Sequence, residues 1–240
     1  MNKPKRLVIV GDSAFAEIAY EYFTYDSPYE VCAFSVEAAY LKRQELAGLP
    51  VVALEELDRH YPPADYEVYA ALTYRQLNRL RARLVGIAKA KGFRLASYVS
   101  SRAFVWRNVQ LGEHCFIFEN NTVQPFVVVG NNVVMWSGNH IGHHSRIGDN
   151  CFIASHAVLS GFCTVGDGCF LGVNCTISND VRIGRDCWIG PDVTIKKDVN
   201  ENVLFAGQGS EPSAVPARRF FRIKEAGGDE VEEAWRGVQT

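Results

Sequence analysis

The sequence predicts a small α/β domain followed by a parallel β-helix and a short C-terminal helical tail. Two observations predict this fold class. Strand-like and helix-like stretches alternate through the first hundred residues, and from about residue 103 aliphatic residues recur at every sixth position. We therefore expect three regions, which are residues 1–100, residues 101–205 and residues 206–240.

The first region begins with the short apolar run RLVIV, which is followed by GDS and a helical pattern in AFAEIAYEYF. EVCAFSV, LPVVAL, YEVYAAL and RLASYVS read as further strands. Before the last of these, Leu77, Leu80, Leu84 and Ile87 recur at helical spacing in YRQLNRLRARLVGIAKAKG. Alternating strands and helices favour a parallel sheet with helices on its faces, so we expect a truncated Rossmann-like domain of four or five strands.

The second region has a strict six-residue period. Stepping by six from Val105 to Ile195 meets only aliphatic residues or Met, with no insertion. These positions are Val105, Leu111, Ile117, Val123, Val129, Met135, Ile141, Ile147, Ile153, Leu159, Val165, Leu171, Ile177, Ile183, Ile189 and Ile195. A hexapeptide repeat is the signature of a parallel β-helix. Three repeats make a coil, so residues i and i+18 stack, and the whole run gives about five coils.

Most of the cysteines fall in another phase of the repeat, two residues before an aliphatic position. They are Cys115, Cys151, Cys163, Cys169, Cys175 and Cys187. We interpret them as small interior residues rather than zinc ligands, disulfide partners or a nucleophile. The remaining cysteine, Cys32, lies in a predicted strand and is also expected in the core.

Three residues after each aliphatic position comes a corner, where Asn, Asp or Gly usually stands. These residues tolerate the left-handed backbone conformation at low cost, which predicts a left-handed turn at each corner. The exceptions are His114, Phe126, His144, His156 and Phe162. Histidine is also enriched at positive φ, so the three histidines have a structural explanation.

Composition and charge narrow the function classes. The chain carries 25 basic and 27 acidic side chains, and its net charge of −2 gives no reason to expect nucleic acid or a membrane surface as a partner. The N-terminal apolar run is too short for a signal peptide, and no run approaches the ~18 apolar residues of a membrane helix. We expect a cytoplasmic protein.

His143 is explained neither by packing nor by turn geometry. It lies two residues after Ile141, on the outside of a turn, and His140 lies in the outward strand phase. One coil further on is Gly161. A glycine beside an exposed imidazole predicts a gap with a bare backbone N–H, which suits a general base next to a bound acyl group.

These features together resemble the bacterial nucleotide-sugar acetyltransferases, in particular the sialic acid O-acetyltransferase-like family that includes the bacillosamine-pathway N-acetyltransferases. The resemblance implies a left-handed β-helix and transfer from acetyl-CoA to an amino or hydroxyl group of a sugar, with no metal. We predict a homotrimer with sites between subunits, because the faces and corners of adjacent helices supply the groove that aligns two substrates.

The family motif is a His followed by an acidic residue, a small residue, an aliphatic residue and Ile-Gly. The matching stretch here is HHSRIG, so the resemblance implies His143 as the general base. His144 stands where the orienting carboxylate usually sits, and we take it as a second catalytic residue. A neutral His144 could still hydrogen-bond His143, but it would not raise the basicity of His143 as a carboxylate would. Phe152 stands where the family often has a second His. His156, or the backbone N–H of Gly161, could take that second role.

The family's glycine-rich loop after the first strand reads GDSA here. The loop opens a helix whose N–H groups could hold an anion. Asp12 would repel a phosphate, however, and Ser13 could equally cap the helix. Where the family often has an Asp pair that contacts uracil, this chain offers Ser35 and Glu37, so the nucleotide stays open.

Candidate binding residues follow from the same resemblance. We assign to the acceptor Gly11, Asp12, Ser13, Asn139, His140 and His156, and to coenzyme A Gly161, Asn174, Lys196, Lys197 and Arg218. The lysines and the arginines of VPARR could neutralise coenzyme A phosphates, although ordinary exposed charge explains each of them somewhat better when it is taken singly. Pro216 is expected to start a helix that packs on the last coil, and the final GGDEVEEAWRGVQT is expected to be a short helix or disordered.

Two other functions stay open. A zinc-dependent carbonic anhydrase on the same β-helix needs three histidines that converge on one metal. No two histidines of this sequence occupy the same corner one coil apart. A non-catalytic scaffold is the second alternative, and His143, Gly161 and the VPAR segment argue against it.

Overall fold

The computed structural model describes residues 4–207 and 209–222. Met1–Gln208 form one compact unit and Gly209–Thr240 a second. In its described part, the first unit contains one six-stranded sheet and three further sheets of very short strands.

The six-stranded sheet is built by the first hundred residues. Its elements are β1 (Lys5–Val10), α1 (Ala14–Tyr25), β2 (Tyr29–Val36), β3 (Glu45–Leu46), β4 (Leu49–Ala53), α2 (Leu57–His60), β5 (Tyr66–Ala70), α3 (Arg79–Ala90) and β6 (Arg94–Leu95), with 3₁₀ turns at Ala38–Tyr40 and Leu54–Glu56. The strand order is β3-β4-β2-β1-β5-β6, and every described pair is parallel except β3 with β4. The expected parallel sheet with connecting helices is confirmed.

Alternate residues of this sheet face two different layers. Leu7 and Ile9 of β1 pack with α1 and the β-helix, whereas Val8 and Val10 pack with α2 and α3. Cys32 belongs to neither core and is half-buried, so its predicted core position is wrong. The reason is a bulge, because the β1–β2 register passes from Val31 to Ala33 and leaves Cys32 without a partner opposite.

Two predicted elements differ from those in the structure. The helix predicted from Tyr74 onwards begins only at Arg79, because Gln76, Leu77 and Asn78 have φ of 54°, 50° and 66°. Three left-handed residues cannot continue a right-handed helix. RLASYVS forms two short strands rather than one, and the second of them already belongs to the β-helix.

The β-helix begins at Tyr98 and consists of two-residue strands in three parallel sheets. The strands are β7 (Tyr98–Val99), β8 (Phe104–Val105), β9 (Gln110–Leu111), β10 (Phe116–Ile117), β11 (Thr122–Val123), β12 (Val128–Val129), β13 (Val134–Met135), β14 (His140–Ile141), β15 (Arg146–Ile147), β16 (Phe152–Ile153), β17 (Val158–Leu159), β18 (Thr164–Val165), β19 (Phe170–Leu171), β20 (Thr176–Ile177), β21 (Arg182–Ile183), β22 (Trp188–Ile189), β23 (Thr194–Ile195) and β24 (Leu204–Phe205). From β7 to β23, strands eighteen residues apart pair with each other, as Thr122 does with His140 and His140 with Val158. In the last coil the interval is sixteen, as between Trp188 of β22 and Leu204 of β24. The register of eighteen confirms the stacking predicted from the six-residue period.

The interior and the corners also follow the predicted phases. The six cysteines of the repeat are at most 1% exposed, which confirms their place in the interior. His114, Phe126, His144, His156 and Phe162 all have positive φ, as do the Asn and Asp residues at the corners from Asn120 to Asp192. Asn108 and Asp198 do not, so the corner prediction is wrong at the two ends of the repeat. Between them the corner rule holds even where the residue type is unfavourable.

The α/β region and the β-helix share one core. Phe15 and Phe23 of α1 pack against Phe116, with ring centroids 5.8 and 5.6 Å apart. Further along the same face, Tyr74 packs against Phe170 at 4.6 Å. One face of the β-helix, which contains β10, β13, β16 and β19, is thereby covered. The change from α/β region to β-helix near residue 100 lies inside a single compact unit. A domain boundary at that point stays a prediction.

A buried polar cluster connects α3 and β5 to the β-helix. Arg81 donates from Nε to Asn132 Oδ1 at 2.9 Å and from Nη2 to the carbonyls of Asn132 and Cys151. Nε2 of His114 accepts the N–H of Ala70, so its Nδ1–H donates to Asn132 Oδ1 at 2.8 Å. Burial, helped by the Arg81 charge, lowers the pKa of His114 to about 3. His114 is therefore neutral in the folded protein.

The second unit is described over residues 209–222. Helix α4 (Ala217–Phe220) begins directly after Pro216, as predicted. The final GGDEVEEAWRGVQT lies outside the described residues. Within the two described ranges, no helix has the length and apolar character that crossing a membrane requires.

We predict that His114 makes the fold sensitive to mild acid. The unfolded chain binds the His proton at an ordinary pKa of about 6.5, whereas the folded chain binds it only near pH 3. This contribution to stability is complete above pH 6.5 and falls by about 1.4 kcal/mol for each pH unit below it. His114→Asn keeps a residue that tolerates positive φ, and it should flatten this slope in urea unfolding between pH 6.5 and pH 4.

His156→Asn is the matched control, because His156 occupies an exposed corner. It should keep the slope of the wild type. A slope that is the same in His114→Asn as in the wild type would contradict the assignment.

Candidate functional site

One edge of the β-helix carries His143, and we call it the His143 edge. It consists of residue pairs stacked at intervals of eighteen, namely Pro125–Phe126, His143–His144, Gly161–Phe162, Asn179–Asp180 and Lys197–Asp198. It borders the face formed by β8, β11, β14, β17, β20 and β23, which we call the outer face. In a three-sided coil this edge lies opposite the face that packs on the α/β region.

His143 is exposed, and both its backbone and its side chain make hydrogen bonds. Its N–H donates to Oε1 of Gln124 at 2.9 Å, and its carbonyl accepts the N–H of Phe162 at 2.9 Å. Its Nδ1 lies 3.1 Å from Nδ1 of His144. One ring must carry its proton on Nδ1 and the other must accept it. Nε2 is then the atom of His143 that remains for a ligand.

The imidazole of His143 lies directly over Gly161. A Cβ at Gly161 would lie 2.7–3.2 Å from atoms of this ring. The ring itself therefore occupies the space that the sequence predicts as a gap. The N–H of Gly161 donates to Oδ1 of Asn179 at 3.1 Å. The prediction of a bare N–H is wrong, because a side chain from the next coil accepts this hydrogen bond.

His144 lies between two phenylalanine rings. Its ring centroid is 4.6 Å from that of Phe126 and 4.9 Å from that of Phe162, at interplanar angles of 26° and 18°. Phe126 and Phe162 are 57% and 51% exposed and have φ of 65° and 61°. The left-handed conformation costs such residues roughly 1–2 kcal/mol. Sequence reasoning missed this contact, although both residues stood out as exceptions at the corners.

Asn139 cannot contact a substrate from its position. It is 1% exposed, its Oδ1 accepts the N–H of Ala157 at 2.7 Å, and its Nδ2 donates to the carbonyl of Trp136. Both ends of the amide are used inside the coil. Its assignment to the acceptor is therefore wrong.

The other two histidines assigned to the acceptor lie on or beside the outer face. His140 points outward from β14 and is half-buried between Thr122 and Val158. His156 is an exposed corner at the opposite edge of this face, with its ring over Gly138. Five residues of extended chain separate the two edges, which is roughly 16 Å. Within one chain, His156 therefore does not meet His143.

The residues assigned to coenzyme A are distributed along the β-helix and beyond it. Asn174 is an exposed corner one coil beyond His156. Lys196 and Lys197 are exposed, and Lys197 lies on the His143 edge three coils beyond His143, about 14 Å away at the usual strand spacing. Arg218 lies in α4, in the second unit.

Phe152 occupies the position where the family resemblance suggests a second histidine. It is 2% exposed and packs in the core shared by the α/β region and the β-helix. Its ring stacks with Phe170 at 5.9 Å, and the Arg81 guanidinium lies 5.8 Å from it. Packing therefore explains why this position holds Phe.

A cavity of about 490 Å³ lies where β1, β2 and β5 end, and its lining includes Gly11, Asp12, Ser13, Glu37 and Arg75. Gly11 has φ of 122°, a conformation that side chains rarely allow. Ser13 is the N-cap residue of α1, but its side chain makes no capping hydrogen bond. The first turn of α1 is thus open towards the cavity.

Both acidic residues of this lining are paired with arginines. Asp12 lies 3.6 Å from Arg43, and Glu37 accepts two hydrogen bonds from Arg83 at 2.7 and 2.8 Å. The Arg83 hydrogen bonds lower the pKa of Glu37. The pairing of Asp12 reduces the repulsion that this residue would exert on a phosphate.

No group of three or more His, Cys, Asp or Glu that could hold a metal ion occurs in residues 4–207 and 209–222. His143 and His144 share one edge of the β-helix, whereas His140 lies on the outer face and His156 at another edge.

The repeat and the fold match known proteins. Residues 144–179 match the family model described as bacterial transferase hexapeptide (six repeats). PerB from Caulobacter crescentus in complex with CoA and GDP-perosamine is 25% identical, with a TM-score of 0.73 over 82% of this chain and 92% of that one. A mutant of perosamine N-acetyltransferase from the same organism, with the same two ligands, is 24% identical, with a TM-score of 0.72 over 82% and 91%.

The acetyltransferase domain of PglB from Neisseria gonorrhoeae FA1090 in complex with acetyl coenzyme A is 19% identical, with a TM-score of 0.75 over 87% of this chain and 99% of that one. A search of curated proteins finds no match. These comparisons confirm the resemblance to hexapeptide-repeat sugar acetyltransferases, and they support an enzyme of the acyltransferase class.

We predict that Gly161→Ala displaces the His143 ring without unfolding the coil. The new Cβ would overlap the imidazole rather than backbone, and the backbone of Gly161 does not have positive φ. A crystal structure of the variant should show the His143–His144 contact broken, with an unfolding temperature within a few degrees of the wild type. Gly86→Ala is the control, because nothing lies within 4 Å of its added Cβ. An undisplaced ring would contradict the prediction.

Proposed function

We propose that this protein transfers an acetyl group from acetyl-CoA to an amino or hydroxyl group of a nucleotide-linked sugar, in the synthesis of a bacterial surface polysaccharide. The observation that carries the proposal is His143, an exposed imidazole held through its backbone and Nδ1 on a β-helix edge. The solved relatives in complex with CoA and GDP-perosamine support this choice of substrates.

His143 acts as the general base in this proposal. Its Nε2 accepts the proton of the acceptor nitrogen or oxygen while that atom bonds to the thioester carbonyl carbon. The tetrahedral intermediate then expels the coenzyme A thiolate, which takes up the proton. No covalent enzyme intermediate is required, which agrees with the buried positions of the repeat cysteines.

The cavity of the α/β region holds the nucleotide in this proposal. The uncapped first turn of α1 presents backbone N–H groups, and a helix N-terminus favours anions such as a diphosphate. Arg75 in the lining adds a positive charge. The proposal therefore keeps the three acceptor-binding residues of this loop, Gly11, Asp12 and Ser13.

Coenzyme A lies along the His143 edge in this proposal, with its thioester at His143. Lys197 is three coils further on, and Lys196 precedes it. An extended pantetheine arm separates the thioester from the phosphates of coenzyme A by a comparable length. The two lysines therefore neutralise the phosphates, and Gly161 provides the space for the His143 ring. Asn174 lies at the edge that carries His156, so it remains a proposed contact of a coenzyme bound to a neighbouring subunit, and the assignment of Arg218 stays a prediction from the sequence.

The working unit is a homotrimer in this proposal. The nucleotide cavity belongs to the region packed on one face of the β-helix, whereas His143 lies on the edge opposite that face. A sugar held by one subunit would thus meet His143 of a neighbour. The outer face and its borders expose Phe104, Trp106 and Val158, as expected of a surface between subunits.

The test is a panel of nucleotide-linked amino and deoxy sugars incubated with acetyl-CoA and the purified full chain, read by mass spectrometry. The proposal expects one sugar to gain the mass of one acetyl group, and fragmentation gives its position. A chain that binds acetyl-CoA but acetylates no member of a broad panel would contradict the proposal.

We predict that His143→Ala lowers kcat by about a hundredfold to ten-thousandfold, the usual range for loss of a general base. Assembly and acetyl-CoA affinity should not change. His60→Ala is the matched control, because His60 is an exposed histidine on α2 that faces Glu56. Near wild-type turnover in His143→Ala would show that another group is the base.

A further inference from the structure

We infer that Phe126 and Phe162 are positioning residues that hold the His144 imidazole as the hydrogen-bond acceptor of His143. This inference rests on the proposed function, since it specifies how the base of that reaction is oriented. It concerns two exposed residues to which the family resemblance assigns no role.

The first argument is the geometry of the stack. Phe126 and Phe162 cover the two faces of His144 with ring centroids at 4.6 and 4.9 Å. Only the ring edge of His144 remains accessible, and its Nδ1 lies 3.1 Å from Nδ1 of His143. Phe162 also meets the His143 ring edge-on at 5.0 Å. A tilt of the His144 ring plane away from His143 would lose both stacking contacts. A half-turn of the ring within this plane would keep the stack but would replace Nδ1 by Cδ2 and lose the hydrogen bond to His143.

The second argument is that no other contact within residues 4–207 and 209–222 explains phenylalanine at these two corners. Both residues adopt the left-handed conformation that Asn120, Asn132 and Asn150 adopt without a bulky side chain. Both are about half exposed, and neither belongs to a hydrophobic core of the described residues. Their stacking on His144 is the interaction that sets them apart from the asparagine corners.

The third argument is chemical. If Nε2 of His143 accepts a proton, Nδ1 of His143 must donate and Nδ1 of His144 must be bare. A carboxylate, which the family usually has here, accepts on either oxygen. An imidazole accepts on one atom only, and only in the tautomer that carries its proton on Nε2. Its orientation must therefore be held, and the aromatic stack holds it.

Two substitutions of Phe162 test the inference. Phe162→Asn removes the ring and installs a residue suited to positive φ, so its unfolding temperature should equal or exceed that of the wild type. Its kcat should fall by about tenfold to a hundredfold, as when a supporting contact of a reacting group is lost, with KM for both substrates unchanged. Phe162→Tyr keeps an aromatic ring and should retain most of the wild-type kcat.

Three kinetic or assembly outcomes would overturn the inference. A raised KM with unchanged kcat would show that Phe162 contacts a substrate. A loss of oligomer in Phe162→Asn that accounts for the lost activity would show that the ring belongs to a subunit interface. A Phe162→Tyr variant as slow as Phe162→Asn would show that stacking is not what matters.

A spectroscopic measurement separates this inference from the proposed function, because it needs no reaction. In full-length protein labelled with ¹⁵N-histidine, the nitrogen chemical shifts report which ring nitrogen carries the proton. We expect His144 protonated on Nε2 in the wild type and a mixture of tautomers in Phe162→Asn. His144 protonated on Nδ1 in the wild type would overturn the inference even if sugars are acetylated. If the wild type shows the expected tautomers but acetylates no sugar, the inference about the orientation of His144 stands and only the proposed reaction is contradicted.

Discussion

Every feature of the His143 edge depends on the register in which each strand pairs with the strand eighteen residues on. Successive coils lie so close that a Cβ at Gly142 would be 2.5 Å from backbone atoms of Ser160. In this register, residues i and i+18 become neighbours whatever their chemistry. Phe126, His144 and Phe162 therefore stack, and the His143 ring meets the one neighbour that lacks a side chain, Gly161.

Buried polar side chains that hydrogen-bond to one another attach the α/β region to one face of this coil. Arg81 and His114 are buried and meet at the amide oxygen of Asn132. A buried polar group without its hydrogen-bond partner costs free energy of folding. This attachment therefore fixes which face of the β-helix is covered. His143, on the opposite edge, is exposed in the described part of the chain. A site that needs both the cavity and His143 is therefore expected to use two chains.

Much of the fold could be predicted from the sequence, because the six-residue period reflects local steric constraints. It placed the strands, the interior cysteines and the left-handed corners. It also identified His143 as a residue that packing does not need. The same rules also predict the positions of three further residues. Asn139 stands in the inward phase and is indeed buried, and the interval of eighteen places Phe126 and Phe162 on either side of His144.

What could not be predicted depends on contacts between distant parts of the chain. Helix α3 starts late, next to Asn78, whose buried amide donates to the carbonyls of Gly168 and Cys169. The N–H of Gly161 is used by the side chain of Asn179. No pattern within either segment reveals these partners.

The most direct measurement of the central claim, that neighbouring chains share each site, is activity in mixed oligomers. Ser13→Glu places a carboxylate at the first turn of α1, where it would repel a diphosphate, and His143→Ala removes the base. If the two variants are co-expressed and assemble randomly, about one interface in four joins an intact cavity to an intact His143. The account predicts acetyl transfer near that fraction of the wild-type rate, far above either variant alone. Activity no higher than the mean of the two separate variants would contradict it.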